Sequence, residues 1–237
     1  MAVVAIARQH SSLGHAIGRM VADRMGCHIV DNTTVGVEAG PYGATIEANG
    51  ADLEEHEPTL LERLHDERQR HRIMLRCAVT NTAAAGDVVI VGLASPVILR
   101  DVTHVLKVAV VANQETRVRR LVERARTEEH RELSNEDAGR LIRRSDRQRA
   151  GYLRYHFNSE WLDPLTHDLM INTSFLTPEV AVNQILHMVE RPELQPTAES
   201  REHLANLAIN CRIEAEHAGH RWSTDDGLSL ASWTRLR

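Results

Sequence analysis

The apolar positions of this chain follow two periods that alternate along most of its length. Ala2–Ala7 is a continuous apolar run, followed by a polar turn rich in Ser and Gly. Ile17, Val21 and Met25 then recur at i, i+4 and i+8, the spacing of one helix face. Further short apolar runs occupy Cys27–Val30, Asp87–Gly92, Val105–Val111 and Asp168–Ile171. Runs of this length, apolar on both faces and bounded by turn residues, predict buried strands of a parallel sheet. Between them, helical periodicity runs from Thr59 to about Ala85, over Gln114–Arg126, from Asn135 to about Arg149, and from Thr177-Pro178 to near Val189. Ser95 before Pro96 predicts a short capped helix, and Ser134 with Asp137 gives a start like a capping box. On Gln114–Arg126 the pattern turns Val118, Leu121 and Val122 inward. It leaves Arg117, Arg119, Arg120, Arg124 and Arg126 on the other face. Strands alternating with helices predict an α/β fold with a doubly wound, five-stranded parallel sheet.

Two stretches depart from this alternation. From Thr33 to Glu57, Gly36, Gly40, Pro41, Gly43 and Gly50 break the pattern, so this reads as a loop region with room for one short helix. RPELQPTAES, from Arg191, reads as a linker. It leads to helical periodicity over Ser200–Ala218, with Leu204, Leu207 and Ile213 apolar, and then to the weakly patterned GLSLASW. The expected organisation is a main domain over residues 1–190 and a linker with a short helical C-terminal appendage over 191–237. Trp222 and Trp233 would anchor that tail on the domain or on a partner chain, which leaves a homodimer open.

Composition narrows the function classes. A net charge of −5 over 237 residues gives no broad basic surface, so nucleic acid is not an expected partner. No apolar run reaches the ~18 residues a membrane span needs. The first residues lack the basic segment of a signal peptide. Cys27, Cys77 and Cys211 form no C-x-x-C pair, so reduced thiols and a cytoplasmic location are expected. His10, His15 and His28 do not have metal-ligand spacing, and no metal site is expected. His65 and His71, in a densely charged helix, are expected to face solvent. Ser11, Ser12, His10 and Asp31 make no hydrolase elbow, because G-x-S-x-G is absent.

Candidate chemistry sits in the first strand–turn–helix. Backbone N–H groups at a helix N-terminus face an anion there, and the helix dipole favours it. The pattern G-x-x-x-x-G-K-[ST] adds glycines for close approach, a lysine for the phosphates and a hydroxyl for magnesium. Aligned on the following helix, Gly14 takes the lysine position and Ala16 the hydroxyl position. Ser11 and Leu13 stand where glycines would help. Lys107 is the sole lysine of the chain, so no local lysine can substitute. Asp31 and Asn32 follow the second strand, at the end where open α/β sheets place ligands.

Three segments in joint order carry a resemblance. ARQHSSLGHAIGRMVADRMG is similar to the strand–loop–helix opening of the cytidylate kinase-like proteins, a branch of the P-loop nucleoside-monophosphate kinases. LKVAVVANQETRVRRL resembles their strand, polar turn and arginine helix leading to the lid. AGRLIRRSDRQRAGYLRYHF with DPLTHDLMINTSFL resembles the lid-closing helix and final strand. The resemblance covers roughly residues 1–190. It implies phosphoryl transfer from ATP, with magnesium, to a pyrimidine nucleoside monophosphate. On the matching positions, Arg8, Gln9, Ser11, Ser12, Leu13, Gly14, His15 and Ala16 would bind phosphate. Asp31 would lie near the acceptor nucleoside. Arg117, Arg120, Arg143, Asp146 and Arg149 would serve catalysis from the lid, and Asn172 and Thr173 would lie beside the adenine.

The chain also departs from that family. The family's loop keeps more glycines, and related cytidylate kinases keep the lysine. After DVVIVG the family has Gly-Arg followed by Asp or Gly, where this chain has Gly92-Leu93-Ala94. Three readings stay open. The first is a working kinase using ATP and Mg2+, with Arg8 or a lid arginine in the lysine's role. The second is a nucleotide-binding or scaffolding protein without catalysis, and the third is a fold retained without nucleotide binding. The partner in the first two is a nucleotide or another phosphorylated small molecule. Arg124–Asn135, whose one large apolar residue is Leu133, is expected to be a mobile lid without ligand.

Overall fold

The computed structural model describes residues 2–31 and 65–222. The expected loop over Thr33–Glu57, the start of a helix at Thr59, the exposure of His65 and the packing of Trp222 and Trp233 lie outside what it describes. The strands are β1 (Val3–Arg8), β2 (His28–Val30), β3 (Val88–Val91), β4 (Val105–Val111) and β5 (Leu169–Asn172). All neighbours pair in parallel, in the order β2-β3-β1-β4-β5. The five expected runs are therefore the five strands, with ends displaced by a residue or so. Cys27 is left out of β2 because Gly26, at φ 63, turns the chain, and the Cys27 N–H still bonds the helix carbonyl of Ala22. Asp168 stays ahead of β5, where its carboxylate accepts from the Lys107 N–H at 2.8 Å and sits 3.3 Å from Lys107 Nζ.

Alternate strand residues point to opposite faces, and each face has its own helices. The helices are α1 (Gly14–Met25), α2 (His65–Ala85), α3 (Ser95–Ile98), α4 (Gln114–Thr127), α5 (Asn135–Phe157), α6 (Pro178–Val189) and α7 (Ala198–Trp222). Val3, Ala5, Val88, Ile90 and Val105 pack with Leu75 and Val79 of α2, Tyr152 and Leu153 of α5 and Leu204 of α7. Val4, Ile6, Val89, Val91 and Val108 pack with Ile17 and Val21 of α1 and Val182 and Ile185 of α6. The central strand β1 is thus covered on both sides. Its C-terminal end, at Arg8, is where the chain turns into α1.

Helix ends follow the expected chemistry in two places and not in a third. Ser134 caps α5 by accepting from the Asp137 N–H, and Thr177 caps α6 ahead of Pro178. Ser95 does not cap α3. It is the first helical residue, Ala94 is the cap, and no side-chain hydrogen bond closes that end. Helix α5 runs past Arg149 to Phe157, because Tyr152, Leu153 and His156 continue its buried stripe until Asn158 turns left-handed.

Two polar side chains expected in solvent are drawn inward. Arg117 is buried, and its Nη1 reaches both Asp146 oxygens at 3.0 and 2.9 Å, joining α4 to α5. His71 is half-buried. Its Nε2 lies 2.7 Å from the Tyr152 hydroxyl, and its ring centroid 4.7 Å from that of His156. The charge density of its segment hides the side on which α2 meets α5. At the far end of β4, His104 is 2% exposed, and neither ring nitrogen has a partner among the described residues.

Two outcomes follow. Asp146→Ala strands a buried guanidinium, and lost charged hydrogen bonds cost about 1.5–3 kcal/mol. Denaturant melts should show a loss of that order, largely restored by adding Arg117→Met, since an apolar replacement removes the unpaired charge. Burial, and then the charges of Arg201 and Lys107, push the His104 pKa below its ordinary value. The unfolded chain then takes up the His104 proton first, so stability falls as pH drops below about 6.5. Melting temperatures between pH 7.5 and 5.5 should show that slope, and His104→Phe should flatten it.

Candidate functional site

The turn from β1 into α1 is tightly wound. Ser11 and Leu13 both adopt left-handed backbone, with φ 59 and 69, at the positions where the sequence lacks expected glycines. That conformation costs an L side chain roughly 1–2 kcal/mol, so the surroundings must hold it. The Gln9 N–H donates to Val110 O, and Gln9 Oε1 accepts from the Ala112 N–H at 3.0 Å. The Ser12 N–H closes back on Gln9 O at 3.2 Å. Thr173 Oγ1 donates to Ser12 O at 2.8 Å. Arg120 bonds Thr173 Oγ1 at 3.0 Å and Thr173 O at 2.6 Å, and its Nη1 is 3.4 Å from Ser11 O. Arg149, itself buried, donates to Arg8 O at 2.9 Å. The loop is therefore strapped to β4, to the end of β5 and to both α4 and α5.

What the loop presents is the start of α1. Its cap is Leu13, which has no side-chain oxygen, and no side-chain hydrogen bond closes this end. The first-turn N–H groups of a helix have no intrahelical acceptor, and the cap residue here offers them no side-chain acceptor. Ser12 is fully buried, and its Oγ has no hydrogen-bond partner among the described residues. An unsatisfied buried hydroxyl costs about 1–3 kcal/mol. Uncapped amides and an orphaned hydroxyl at a positive helix end are the arrangement an anion satisfies.

Gly14 sets the register of the phosphate pattern. A Cβ there would lie 2.4 Å from Arg8 Cβ, so the strand's last side chain excludes anything but glycine. That is the demand of the pattern's second glycine, which directly precedes the lysine. With Gly14 as that glycine, the lysine's place falls one residue later than the sequence alignment put it, at His15, next to Ala16 in the hydroxyl's place. His15 Nδ1 is 3.5 Å from Asp31 Oδ2, and its Nε2 is 3.1 Å from an Arg19 nitrogen. Arginine only donates, so Nε2 accepts and the Nδ1 proton faces Asp31. Asp31 thus reaches the loop from the end of β2. Nothing in the sequence pointed to Arg19 except its i,i+4 spacing from His15.

Arg8 continues across the site. A Cβ on Gly92, whose φ is 80, would lie 2.2 Å from Arg8 Nη1, so the guanidinium rests against the turn after β3. Leu93 and Ala94 follow in left-handed backbone, φ 60 and 53, and are buried.

The five residues read as catalytic separate. Arg120 and Arg149 bond loop carbonyls or their neighbours, and Arg117 and Asp146 pair with each other, away from the loop carbonyls. Arg143 is exposed, with its guanidinium beside Gly139. Asn172 is exposed and accepts from the Ser174 N–H at 3.0 Å, while Ser174 Oγ accepts from the Asn113 N–H at 2.8 Å. That places the loop after β5 directly against the start of α4. Burial, and then the charge of Arg119, push the Arg120 pKa below its ordinary value. A surface cavity of about 850 Å3 lies along α4, lined by Gln114, Val118, Arg119, Val122 and Asn135 among others. No phosphate-loop residue lines it. Among the described residues no group of His, Cys, Asp and Glu could hold a metal ion, and no helix is long and apolar enough to cross a membrane.

Comparison with known proteins agrees with this architecture. No curated protein matches the sequence. The crystal structure of an uncharacterized protein from Eubacterium ventriosum ATCC 27560 overlays with a TM-score of 0.62 at 18% identity. It covers 81% of this chain and 100% of that one, and shows the same fold. A shikimate kinase from Bacteroides thetaiotaomicron overlays with a TM-score of 0.46 at 14% identity, covering 80% and 99% of the two chains. A deoxyadenosine kinase from M. mycoides overlays at 0.40 and 13%, covering 79% and 98%. Overlaps that loose do not bear on this chain's chemistry. The model of the cytidylate kinase-like family matches residues 3–175, from the first residue of β1 to the loop after β5. With its parallel sheet and phosphate-type loop, this chain belongs to the cytidylate kinase-like family.

Proposed function

We propose that the chain binds a nucleotide, or another phosphorylated small molecule, at the turn Ser11–Ala16, and transfers phosphate weakly or not at all. The observation that carries this is the uncapped N-terminus of α1 beside the orphaned, buried Ser12 hydroxyl. Phosphates of ATP fit that donor set, because affinity there rests on backbone N–H groups and the helix dipole. Arg8 would add positive charge, His15 would stand beside the phosphates, and Asn172 and Thr173 would stand beside the base.

Magnesium fits less well. The ion takes oxygen ligands, commonly one or two carboxylates with substrate phosphates. Ala16 offers no hydroxyl, Leu93 and Ala94 offer no carboxylate, and Asp31 already faces His15. Phosphoryl transfer depends on positioned charge rather than covalent chemistry. Losing one such contact costs about 3–4 kcal/mol in the transition state. The second reading is a working cytidylate-type kinase with ATP and Mg2+, in which His15 and Arg8 replace the lysine. The register of His15 favours it. Under either reading the lid is Arg124–Asn135, of which Arg124–Thr127 forms the last turn of α4. It is held here by the Arg131 N–H on Ala125 O and by Glu129 pairing with Arg131 at 3.2 Å.

Calorimetry with ATP and CMP, and a coupled ADP-release assay with magnesium, test the proposal together. ATP should bind while CMP-dependent ADP release stays weak. Brisk release by the unmodified protein contradicts the proposal, and absence of binding by any phosphate compound favours a fold kept without a ligand. His15→Ala should weaken ATP binding about fivefold, the loss of one contact of about 1 kcal/mol. His15→Lys with Ala16→Thr should raise turnover. Gly14→Lys should instead disrupt the loop, since its Cβ meets Arg8.

A further inference from the structure

The seam between α2 and α7 holds two of the three cysteines. Cys77 on α2 and Cys211 on α7 are 7% and 0% exposed and cluster with Ile73 and Ala215. The two thiols thus share one small buried cluster between facing helices. The seam is closed beside them by Arg76, whose Nη1 is 3.0 Å from Glu214 Oε2. Cys27 lies at the other face of the sheet, packed with the residues beneath α1. No catalytic or phosphate-binding role draws on the α2–α7 pair.

The pair has the chemistry of a reactive dithiol. The neighbouring Cys77 thiol, and then the Arg76 charge, pull the Cys211 pKa below the ordinary cysteine value, while Cys211 and burial push the Cys77 pKa up. Cys211 is therefore the sulfur that reacts as the thiolate. Arg76 is the cation beside the pair, and its charge acts on Cys211 against the opposing carboxylate of Glu214. No third metal-ligating side chain joins the two thiols among the described residues, so a thiolate metal site does not compete.

We propose that Cys77 and Cys211 form a redox pair that closes to an internal disulfide and clamps α7 onto α2. With hydrogen peroxide as the oxidant, the Cys211 thiolate attacks one peroxide oxygen. The O–O bond breaks, leaving a sulfenic acid on Cys211 and releasing hydroxide, which takes a proton to become water. The Cys77 sulfur then attacks the sulfenic sulfur. The S–S bond forms, the S–O bond breaks, and the Cys77 proton leaves with the oxygen as a second water. A dithiol reductant returns both thiols. Because both sulfurs are buried, the rate is set by local opening of α7. The closed clamp in turn makes that opening rarer.

The test uses the full chain exposed to hydrogen peroxide, followed by non-reducing mass spectrometry and peptide mapping. The expected result is loss of two hydrogens, one linked peptide pair containing Cys77 and Cys211, a higher Tm, and reversal by dithiothreitol. Cys27→Ser should leave all of this unchanged, while Cys77→Ala or Cys211→Ala should abolish the link. A link through Cys27, sulfinic or sulfonic acid on Cys211 without a link, or three thiols still titratable after unfolding would each overturn the proposal. If an alanine variant fails to fold, the peptide map of the unmodified chain decides alone.

Discussion

The site depends on one close approach. Arg8 ends the central strand with its Cβ against Gly14, where no second Cβ fits, and its guanidinium against Gly92. Because β1 is hydrogen-bonded to its neighbours and covered on both faces, the Arg8 Cβ cannot move to make room at Gly14. One side chain thus touches both the start of α1 and the turn after β3. The left-handed Ser11 and Leu13 are the conformational cost of entering α1 so sharply. Backbone bonds to β4 and the Arg120–Thr173 strap offset that cost.

Binding and transfer draw on different parts of this arrangement, and under the proposed function the chain keeps them unequally. Anion binding uses main-chain groups that any sequence with the same backbone supplies. Transfer uses side chains, and the positions for magnesium and acceptor charge hold Ala16, Leu93 and Ala94. Several arginines of the expected lid meanwhile act as struts. Arg117 is committed to Asp146, and Arg120 and Arg149 are committed to carbonyls around the loop. Rigidity of the loop is thereby obtained from side chains of α4 and α5.

How much was legible in the sequence depended on whether a signal was local. All five strands were, because strands buried on both faces read as unbroken apolar runs. So were the caps at Ser134 and Thr177, each carried within one helical turn. Arg117 was not, because helical periodicity assigns every arginine to solvent, and only the neighbouring helix supplies Asp146. His71 was misread for the same reason, with Tyr152 lying 81 residues away. The loop was legible as a phosphate-type turn, down to the positions that want glycine. Its register was not, since a one-residue choice between Gly14 and His15 is settled by the Arg8 contact, which exists only in the folded chain.

The most direct measurement of the central claim is a titration of the backbone amide resonances of Gly14, His15, Ala16 and Ile17 with ATP, magnesium absent. If α1 begins at an anion site, Gly14, His15 and Ala16 shift strongly and saturably. Ile17, whose N–H is already bonded to Leu13 O at 2.9 Å, shifts far less. Unmoved resonances at Gly14–Ala16, with ATP bound elsewhere or not at all, would contradict the account.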